Sequence, residues 1–356
     1  MPTRASMDAS NRSWIEDLEH PGSFTAAAAG VTALTCSVLG YLALKYFEPT
    51  SPAAANTLYK LKLYRKYFSY FILSKDKSYD ATPPVELGRE KIRKKIVFCR
   101  HGESEWNLVF NKGFGPSFLL RLINAMIREI MLIPTRDSIF IDSSLSDEGL
   151  TQVAELRKFV SSPNAPVFLR EPNSSTLVTS NLRRAIETGS IAFQNRIGKS
   201  DEQMRLFSSL QEMSRNVDAS ALAEAGKIPD LTVVLANIDS KAFDPVKVYD
   251  ATGNHGNKSL KSNGLIRMRE FCDWSLHKQT DNIIVVAGGH SLWFRNFFRA
   301  YLPERIDYIG KNKKIVNCGV VSFDLVEDES GCVMIDPNSL NELYGGYSGV
   351  QTKKGA

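Results

Sequence analysis

The chain of 356 residues has 43% apolar and 23% charged residues and a formal net charge of +5. These values are ordinary for a globular protein with a substantial core. The mild positive charge suits a pocket for an anionic substrate, and because no long basic run is present, the sequence predicts no nucleic-acid surface. Its five cysteines form neither a CxxC pair nor metal-ligand spacing, so they are interpreted as free thiols of a reducing compartment.

The N-terminal region has the composition of a membrane anchor. Residues 21–44 carry no charge and are apolar or small, and about 20 such residues are enough for a helix to cross a bilayer. We predict a polar leader over residues 1–22 and a transmembrane helix over residues 23–44. Four acidic residues in the leader argue against a secretory signal peptide and a mitochondrial presequence. A buried, alanine-rich helix of a soluble domain is the alternative.

The charges on either side of this helix predict its orientation. Five basic residues follow it within residues 45–66, whereas only Arg4 and Arg12 precede it. By the positive-inside rule, the remainder of the chain faces the cytosol as part of a single-pass membrane protein. Residues 45–90 are predicted to be a basic juxtamembrane segment and linker. Within them, residues 58–73 interleave aromatic and basic side chains, which fits either a lipid surface or a solvated connector.

Residues 91–340 are predicted to form the main domain. Short apolar runs typical of buried strands lie near residues 95–99, 176–180, 282–287, 318–325 and 332–335, with helical spacing of apolar residues between them. Strands that alternate with helices predict an α/β fold, a three-layer α/β/α sandwich with a mostly parallel sheet. Residues 341–356 are predicted to be a flexible tail.

Reactive side chains follow three of the predicted strands. Arg100 and His101 come directly after the first strand, and Arg184 follows the second. His290 follows the third. Because ligands of parallel sheets bind at the carboxyl ends of the strands, we expect these side chains to lie together. Guanidinium groups bind phosphate oxygens in pairs and a neutral imidazole can attack phosphorus, so the pattern favours a site for a phosphate monoester.

The motifs around these residues resemble those of a known family. Residues 100–107 read Arg-His-Gly-Glu-Ser-Glu-Trp-Asn, residues 180–188 contain Ser-x-Leu-x-Arg-Ala-x-x-Thr, and residues 145–152 read Leu-Ser-Asp-Glu-Gly-Leu-Thr-Gln. Together with the Gly-His pair after the third strand, they resemble the phosphoglycerate mutase-like branch of the histidine phosphatase superfamily, over roughly residues 91–337. The resemblance implies that the main domain is catalytic and transfers a phosphoryl group through a phosphohistidine.

The resemblance implies a role for each matching residue. His101 is the implied nucleophile, and His290 is implied to donate to the phosphoryl oxygens as charge develops. Arg100 and Arg184 are implied to hold those oxygens, with help from Asn107. The resemblance implies neither a metal nor a nucleotide or other cofactor.

Glu212, in the Leu-Gln-Glu segment that ends at this residue, is implied as the proton donor and acceptor. A carboxylate serves both steps when its pKa lies near the working pH. Glu103 and Glu187 are nearby alternatives, although Glu103 is more simply read as orienting the first motif. Other polar residues are predicted to be peripheral: Arg183 is interpreted as a surface charge, and His20, His255 and His277 as incidental.

The sequence departs from the mutase pattern at two places. Residues 213–218, Met-Ser-Arg-Asn-Val-Asp, lack the Glu-Arg-x-x-Gly segment that follows the acidic residue in mutases, and residues 108–144 are an insertion. Residues 117–133 of the insertion are strongly apolar, with a narrow polar stripe at Arg121, Asn124 and Arg128. This helix either packs on the domain in the ordinary way, caps the site or contacts the bilayer. Lys258 either contacts substrate or belongs to a plain loop before a helix.

The leading hypothesis is therefore a membrane-anchored phosphatase that hydrolyses a phosphomonoester through a phosphohistidine at His101. Its substrate is either a small phosphorylated metabolite or a phosphoprotein. The alternatives are mutase-type phosphoryl transfer, which the residues after Glu212 disfavour, and a catalytically silent, membrane-tethered binding module of the same fold.

Overall fold

The computed structural model describes residues 21–77, 79–197, 200–238, 243–261 and 263–349, with side chains from residue 29 onward. Almost all of the predicted leader, including His20, and the last residues of the predicted tail lie outside these ranges. The chain divides into two compact units between Lys62 and Leu63.

The first unit contains helix α1, Pro21–Phe47, and the start of helix α2, Pro52–Leu73. Within α1, the 19 residues of Ala29–Phe47 are long and apolar enough to cross a membrane, and none of them is buried. A core helix of a soluble protein would bury one face. The exposure of this stretch therefore disfavours the alternative of a buried, alanine-rich helix.

The second unit is built on one sheet. Its strands, within the described residues, are β1 (Glu90–Arg100), β2 (Thr176–Ser180), β3 (Met204–Phe207), β4 (Tyr249–Asp250), β5 (Ile283–Gly289), β6 (Val320–Asp328), β7 (Val333–Ile335) and β8 (Asn341–Tyr344). They follow the order β4-β3-β2-β5-β1-β6-β7, with β8 also paired to β6. The first five are mutually parallel, whereas β6 is antiparallel to β1. The predicted, mostly parallel α/β sheet is confirmed.

Helices cover the sheet and connect its strands. They are α3 (Glu105–Phe110), α4 (Pro116–Leu132), α5 (Asp147–Val160), α6 (Val167–Arg170), α7 (Arg183–Ala192), α8 (Gln194–Ile197), α9 (Thr232–Asn237), α10 (Pro245–Val248), α11 (Gly264–Asp273) and α12 (Ser291–Tyr301). Short 3-10 turns lie at Ser208–Leu210, Val217–Ala219, Ile309–Lys311 and Pro337–Ser339, and a π-turn at Trp274–Lys278 follows α11.

The alternation of side chains along β1 creates two cores. Ile96 and Phe98 pack on one face of the sheet against an aromatic cluster from α11 and α12, in which Phe98 stacks on Trp293 with ring centroids 5.9 Å apart. Val97 and Cys99 point to the other face, into an aliphatic cluster supplied by α5 and α7. Because successive side chains of a strand point to opposite faces, a strand buried on both sides is apolar throughout. The result is the predicted three-layer sandwich.

Two predicted boundaries are wrong. The linker prediction for residues 45–90 fails at Asp76, which is fully buried and paired with Lys258 and Arg267 at 2.9 and 2.7 Å. The tail prediction fails because Asn341–Tyr344 forms β8 and Tyr347 is buried. Both segments are polar enough to resemble loops, but their partners come from distant parts of the chain, which a local pattern cannot reveal.

The insertion forms α4, whose orientation differs from ordinary amphipathic packing. Gly115 is the N-cap of the helix, and Pro116 occupies its first position. Its inward side holds Ala125 and Glu129, and Glu129 accepts hydrogen bonds from the Ser138 hydroxyl, the Ile139 N–H and the Tyr64 hydroxyl. A buried carboxylate requires such donors. The large apolar side chains on the opposite side are exposed.

Candidate active site

The carboxyl ends of three neighbouring strands bring the predicted phosphate-binding residues together. The order β2-β5-β1 places the end of β1 beside the end of β5, and the His101 N–H donates to the Gly289 carbonyl at 3.0 Å. The rings of His101 and His290 lie with centroids 5.0 Å apart. Arg184, in the first turn of α7 after β2, reaches His101 from the third strand end.

The imidazole of His101 is held in one orientation by its two nitrogens. Nδ1 lies 2.5 Å from the carbonyl oxygen of Gly102, a contact that requires Nδ1 to carry the proton and donate it. Nε2 is then unprotonated, and its lone pair accepts a hydrogen bond from the Nε–H of Arg184 at 3.3 Å. This tautomer directs a nucleophilic nitrogen toward a guanidinium group, the arrangement that an attack on a bound phosphoryl group requires.

The charge state of His101 follows from its surroundings. Burial lowers the pKa of this imidazole well below its ordinary value of 6.5, and the adjacent positive charges of Arg184 and Arg100 lower it further. An imidazole with a lowered pKa is neutral at physiological pH. His101 is therefore available as a nucleophile without a base to deprotonate it.

His290 occupies the facing wall of the site. Burial and the positive charge of Arg184 lower its pKa well below 6.5, so it is also neutral. Among the described residues, neither of its ring nitrogens has a hydrogen-bond partner, although the side chain is fully buried. A buried polar group without a partner is costly, and such groups are found where a ligand supplies the missing bond. The ring is positioned to donate to an anion.

Two glycines make this close approach possible. A Cβ at Gly288 would clash with the carbonyl of Ala185 in α7, and one at Gly289 would clash with the ring of Phe98. The end of β5 therefore fits between α7 and the aromatic core only because both residues lack a side chain. Steric crowding therefore explains why two glycines precede His290.

The two arginines are anchored by backbone carbonyls. Arg184 donates from Nη1 to the Asp218 carbonyl at 2.8 Å, and Arg100 donates from Nη1 to the Ile315 carbonyl at 2.6 Å. Burial lowers the pKa of Arg100 to about 10, which still leaves it charged at neutral pH. Fixed guanidinium groups in a site with little solvent stabilise a developing anion strongly, because they need not reorganise.

Glu212 reaches the site through the helix that follows His290. Its carboxylate accepts from the N–H groups of Met213 and Trp293 at 2.9 Å, so it caps the first turn of α12. Trp293 in turn donates from its indole to the Ser209 carbonyl at 2.8 Å, which fixes the loop that carries Glu212. Helix N-termini favour a carboxylate in this position.

Lys258 supports the same loop and is not free for substrate. Its ammonium group donates to the carbonyls of Glu212 and Ser214 at 2.5 and 2.8 Å and pairs with Asp76. Burial lowers its pKa to about 8. All three ammonium protons therefore have acceptors inside the protein, which favours the alternative of a structural loop over a substrate contact through Lys258.

Two further charged groups near the site were missed by the sequence analysis. Asp218 lies 3.5 Å from Arg184, its second carboxyl oxygen has no partner among the described residues, and burial raises its pKa to about 6. The exposed Lys314 contributes positive charge that lowers the pKa of His101. Neither residue belongs to the quoted motifs, and only its position in the fold brings it to the site.

The remaining sequence candidates have other partners. Asn107 is half-buried, and its side-chain oxygen accepts from Asn111 one turn later in the chain at 2.8 Å. The Glu103 carboxylate pairs with Lys112 at 3.1 Å, and Glu187 accepts the Leu145 N–H at 2.7 Å. These bonds favour structural roles for the two glutamates. The side chains of His255 and His277 lie outside the site, His255 exposed and His277 2.9 Å from Glu327.

The prediction that Arg183 is a surface charge is wrong. Its side chain is buried, donates to the carbonyls of Asp142 and Ser138 at 2.7 and 2.9 Å and pairs with Asp137 at 2.6 Å. These partners form the loop that ends the insertion. The two adjacent arginines of α7 therefore have different partners. Arg184 contacts His101, whereas Arg183 binds the loop at the end of the insertion.

Replacement of Arg183 by methionine is expected to destabilise the protein by about 2–4 kcal/mol, because two carbonyls lose their donor and the buried Asp142 loses its neighbouring positive charge. Thermal unfolding of the detergent-solubilised protein measures this loss. The matched control is Arg89→Met, whose side chain is 84% exposed. Equal melting temperatures for the two variants would contradict the assigned role.

No family model and no curated protein matches this chain. Solved structures, however, include several that are similar to it. The native structure of mycobacterial glucosyl-3-phosphoglycerate phosphatase is 16% identical, with 71% of this chain and 99% of that chain covered and a TM-score of 0.35. The ecdysone phosphate phosphatase from Bombix mori, in complex with tungstate, is 12% identical, with 74% and 97% covered and a TM-score of 0.36.

Both similar proteins are phosphatases by their own descriptions. At these identities and TM-scores the likeness assigns no activity to this chain. Among the described residues, no group of three or more His, Cys, Asp or Glu side chains is arranged to hold a metal ion.

Proposed function

We propose that this chain is a membrane-anchored phosphatase of the histidine phosphatase type, which hydrolyses a phosphomonoester through a phosphohistidine at His101. The observation that carries the proposal is the contact of His101 with its two neighbours: Nδ1 donates to the Gly102 carbonyl, and Nε2 faces Arg184. A neutral, oriented imidazole between cationic groups has the properties of a phosphoryl acceptor.

In the first step, the Nε2 lone pair of His101 attacks phosphorus and the bond from phosphorus to the ester oxygen breaks. Arg100 and Arg184 neutralise the phosphoryl oxygens, and the N–H of His290 donates to one of them. A carboxylic acid, Glu212 in our proposal, gives its proton to the departing alcohol. In the second step, water attacks phosphorus and gives a proton to the Glu212 carboxylate, the P–N bond breaks, and His101 regains its lone pair.

The proposal is tested by assaying the full-length protein in detergent or vesicles against p-nitrophenyl phosphate, phosphometabolites and phosphopeptides. Release of inorganic phosphate is the expected result. Transfer of phosphate between positions of a phosphoglycerate, without net release, would indicate a mutase. The binding-module alternative predicts neither activity. A chain that starts at residue 91 is unsuitable, because it lacks Asp76 and leaves Lys258 and Arg267 buried without their partner.

The assignment of the proton donor predicts a dependence on the leaving group. We expect Glu212→Gln to lower kcat/KM by about 10²–10³ on an alkyl phosphate, where the leaving oxygen requires a proton, and by much less on p-nitrophenyl phosphate, whose phenolate leaves unprotonated. Steady-state kinetics on the two substrates measure the difference. Equal losses on both substrates would contradict a proton-donor role for Glu212.

Asp218 is the competing carboxyl group. Burial raises its pKa to about 6, so it is protonated below that pH and ionised above it. If Asp218 were the donor, kcat/KM would fall as the pH rises through about 6, because the protonated form is lost. In that case the Asp218→Asn variant would lose this decrease of kcat/KM with pH. It would also show the dependence on the leaving group that we expect of Glu212→Gln.

We further propose that α1 is a single membrane span and that the phosphatase unit faces the cytosol. The length and composition of Ala29–Phe47 support the span, and the excess of basic residues after it supports the orientation. If α1 is an anchor, the protein remains in the membrane fraction during alkaline extraction, and its mass is not reduced by cleavage. A shorter protein in the soluble fraction would instead indicate a cleaved leader.

A further inference from the structure

The side of α4 that faces away from the domain is an exposed aliphatic stripe. Its residues follow one another at helical spacing, and each is about half exposed or more: Leu119, Leu120, Ile123, Met126, Ile127, Ile130 and Met131. We call these residues the α4 stripe. Leu120 and Met131 are each 71% exposed. Exposed apolar patches of this extent mark interaction sites in soluble proteins.

The orientation of the stripe is fixed by the opposite side of the helix. Phe118, Leu122, Ala125 and Leu132 pack into a small core with α3 and the end of the insertion. On the same side, Glu129 accepts hydrogen bonds from Ser138, Ile139 and Tyr64. A rotation that buried the α4 stripe would therefore expose this core and break the bonds of Glu129.

We propose that the α4 stripe inserts into the interfacial region of an anionic lipid bilayer. The inference rests on the proposed membrane anchor, which would keep the domain near a bilayer, but not on the catalytic proposal. An interfacial helix buries an apolar face at the boundary between headgroups and acyl chains and keeps its polar groups at the headgroup level. On α4 the polar groups form a narrow band at Ser117, Arg121, Asn124 and Arg128.

The charges of the insertion fit anionic headgroups. From Lys112 to Arg136 the segment has four basic residues, Lys112, Arg121, Arg128 and Arg136, and one acidic residue, the buried Glu129. Lys112 pairs with Glu103 at 3.1 Å and Arg128 with Glu105 at 3.0 Å, so the net positive charge that the segment offers to headgroups comes from Arg121 and Arg136. Basic residues beside a lipid-facing helix are attracted to anionic lipids.

The composition of the stripe also favours lipid over a protein partner. Protein interfaces are enriched in methionine and in aromatic residues such as tyrosine and tryptophan, which combine apolar area with hydrogen bonds. Of these, the α4 stripe has only Met126 and Met131. The α4 stripe contains only leucine, isoleucine and methionine, which offer no polar group to fix a register. The same unit exposes a second apolar set at Phe68, Phe71, Ile72 and Leu73 of α2, where the exposed charges are again basic, on Arg65, Lys66, Lys75 and Lys77.

The test is the depth of a tryptophan in the stripe. The full-length Ile127→Trp variant is reconstituted into vesicles of phosphatidylcholine and phosphatidylserine, with or without bromine on the acyl chains. The matched control is Val167→Trp, because Ile127 and Val167 have similar exposed fractions, 54% and 56%. The fluorescence of the unsubstituted protein is subtracted, which leaves the contribution of the introduced tryptophan. The quenching of this contribution is measured with brominated lipid and, separately, with aqueous acrylamide.

The proposal predicts that brominated lipid quenches the added fluorescence of Ile127→Trp at least severalfold more than that of Val167→Trp, while acrylamide shows the reverse order. Quenching of both variants by acrylamide alone would overturn it. Protection of residue 127 from both quenchers would also overturn it and indicate a protein partner or a second copy. Alkaline extraction of the same vesicles reports the anchor separately, and phosphate release reports the catalytic proposal.

Discussion

Replacement of His101 by glutamine is expected to lower kcat/KM for phosphate release by on the order of 10⁴ or more, because the reaction loses the atom that accepts the phosphoryl group. Glutamine keeps a polar side chain of similar size but has no lone pair of comparable nucleophilicity. The loss should appear in kcat with every phosphomonoester, including p-nitrophenyl phosphate, since an activated leaving group does not replace a missing nucleophile.

The control for this variant is His255→Gln. The His255 side chain is exposed and lies outside the site, so its replacement should leave kcat/KM unchanged. The melting temperature of His101→Gln must remain close to that of the unsubstituted protein for the loss to be assigned to chemistry. A His101→Gln protein that is folded and retains a tenth or more of the activity would contradict the nucleophilic role.

Replacement of Arg184 by glutamine should have the second-largest effect, about 10³ in kcat/KM. Arg184 contacts Nε2 of His101, and in the proposed reaction it also supplies a positive charge for the phosphoryl oxygens. Removal of a single fixed donor to a developing anion commonly costs 10²–10³, and arginines at phosphoryl groups contribute more. Most of the loss should fall on kcat, because charge accumulates on the oxygens as the reaction proceeds.

Arg184→Gln should also shift the acid limb of the pH profile. The positive charge of Arg184 is one of the causes that lower the pKa of His101, so its removal should raise that pKa and move the acid limb of kcat/KM to higher pH. Arg89→Gln, at an exposed arginine, should change neither the rate nor the profile. A loss confined to KM, with the profile unchanged, would contradict direct action on the transition state.

The sheet and the cluster of candidate site residues were predictable because they depend on local patterns. Apolar runs mark the buried strands, and parallel strands place their carboxyl ends at one edge. Once β1, β2 and β5 are recognised, Arg100, His101, Arg184 and His290 must lie at that edge. The resemblance added which of two adjacent arginines faces the nucleophile, a choice that helical periodicity alone could not make.

The groups that support the site were not predictable, because their partners are far apart in the sequence. Asp76 is separated from Lys258 by 182 residues, and its segment resembles a polar linker. Arg183 resembles a surface residue until the loop at the end of the insertion covers it. The orientation of α4 was unpredictable for the same reason, because the partners of Glu129 lie in other segments.

The proposed phosphohistidine at His101 can be tested by trapping the phosphorylated enzyme. The full-length protein is mixed with a radiolabelled phosphomonoester, quenched in alkali within the first turnover and digested for mass spectrometry. We predict a label that is stable to alkali, labile to acid and located on His101, and that is absent from His101→Gln. Phosphate release that proceeds with a label on another residue, or that continues unlabelled in the His101→Gln protein, would contradict the account.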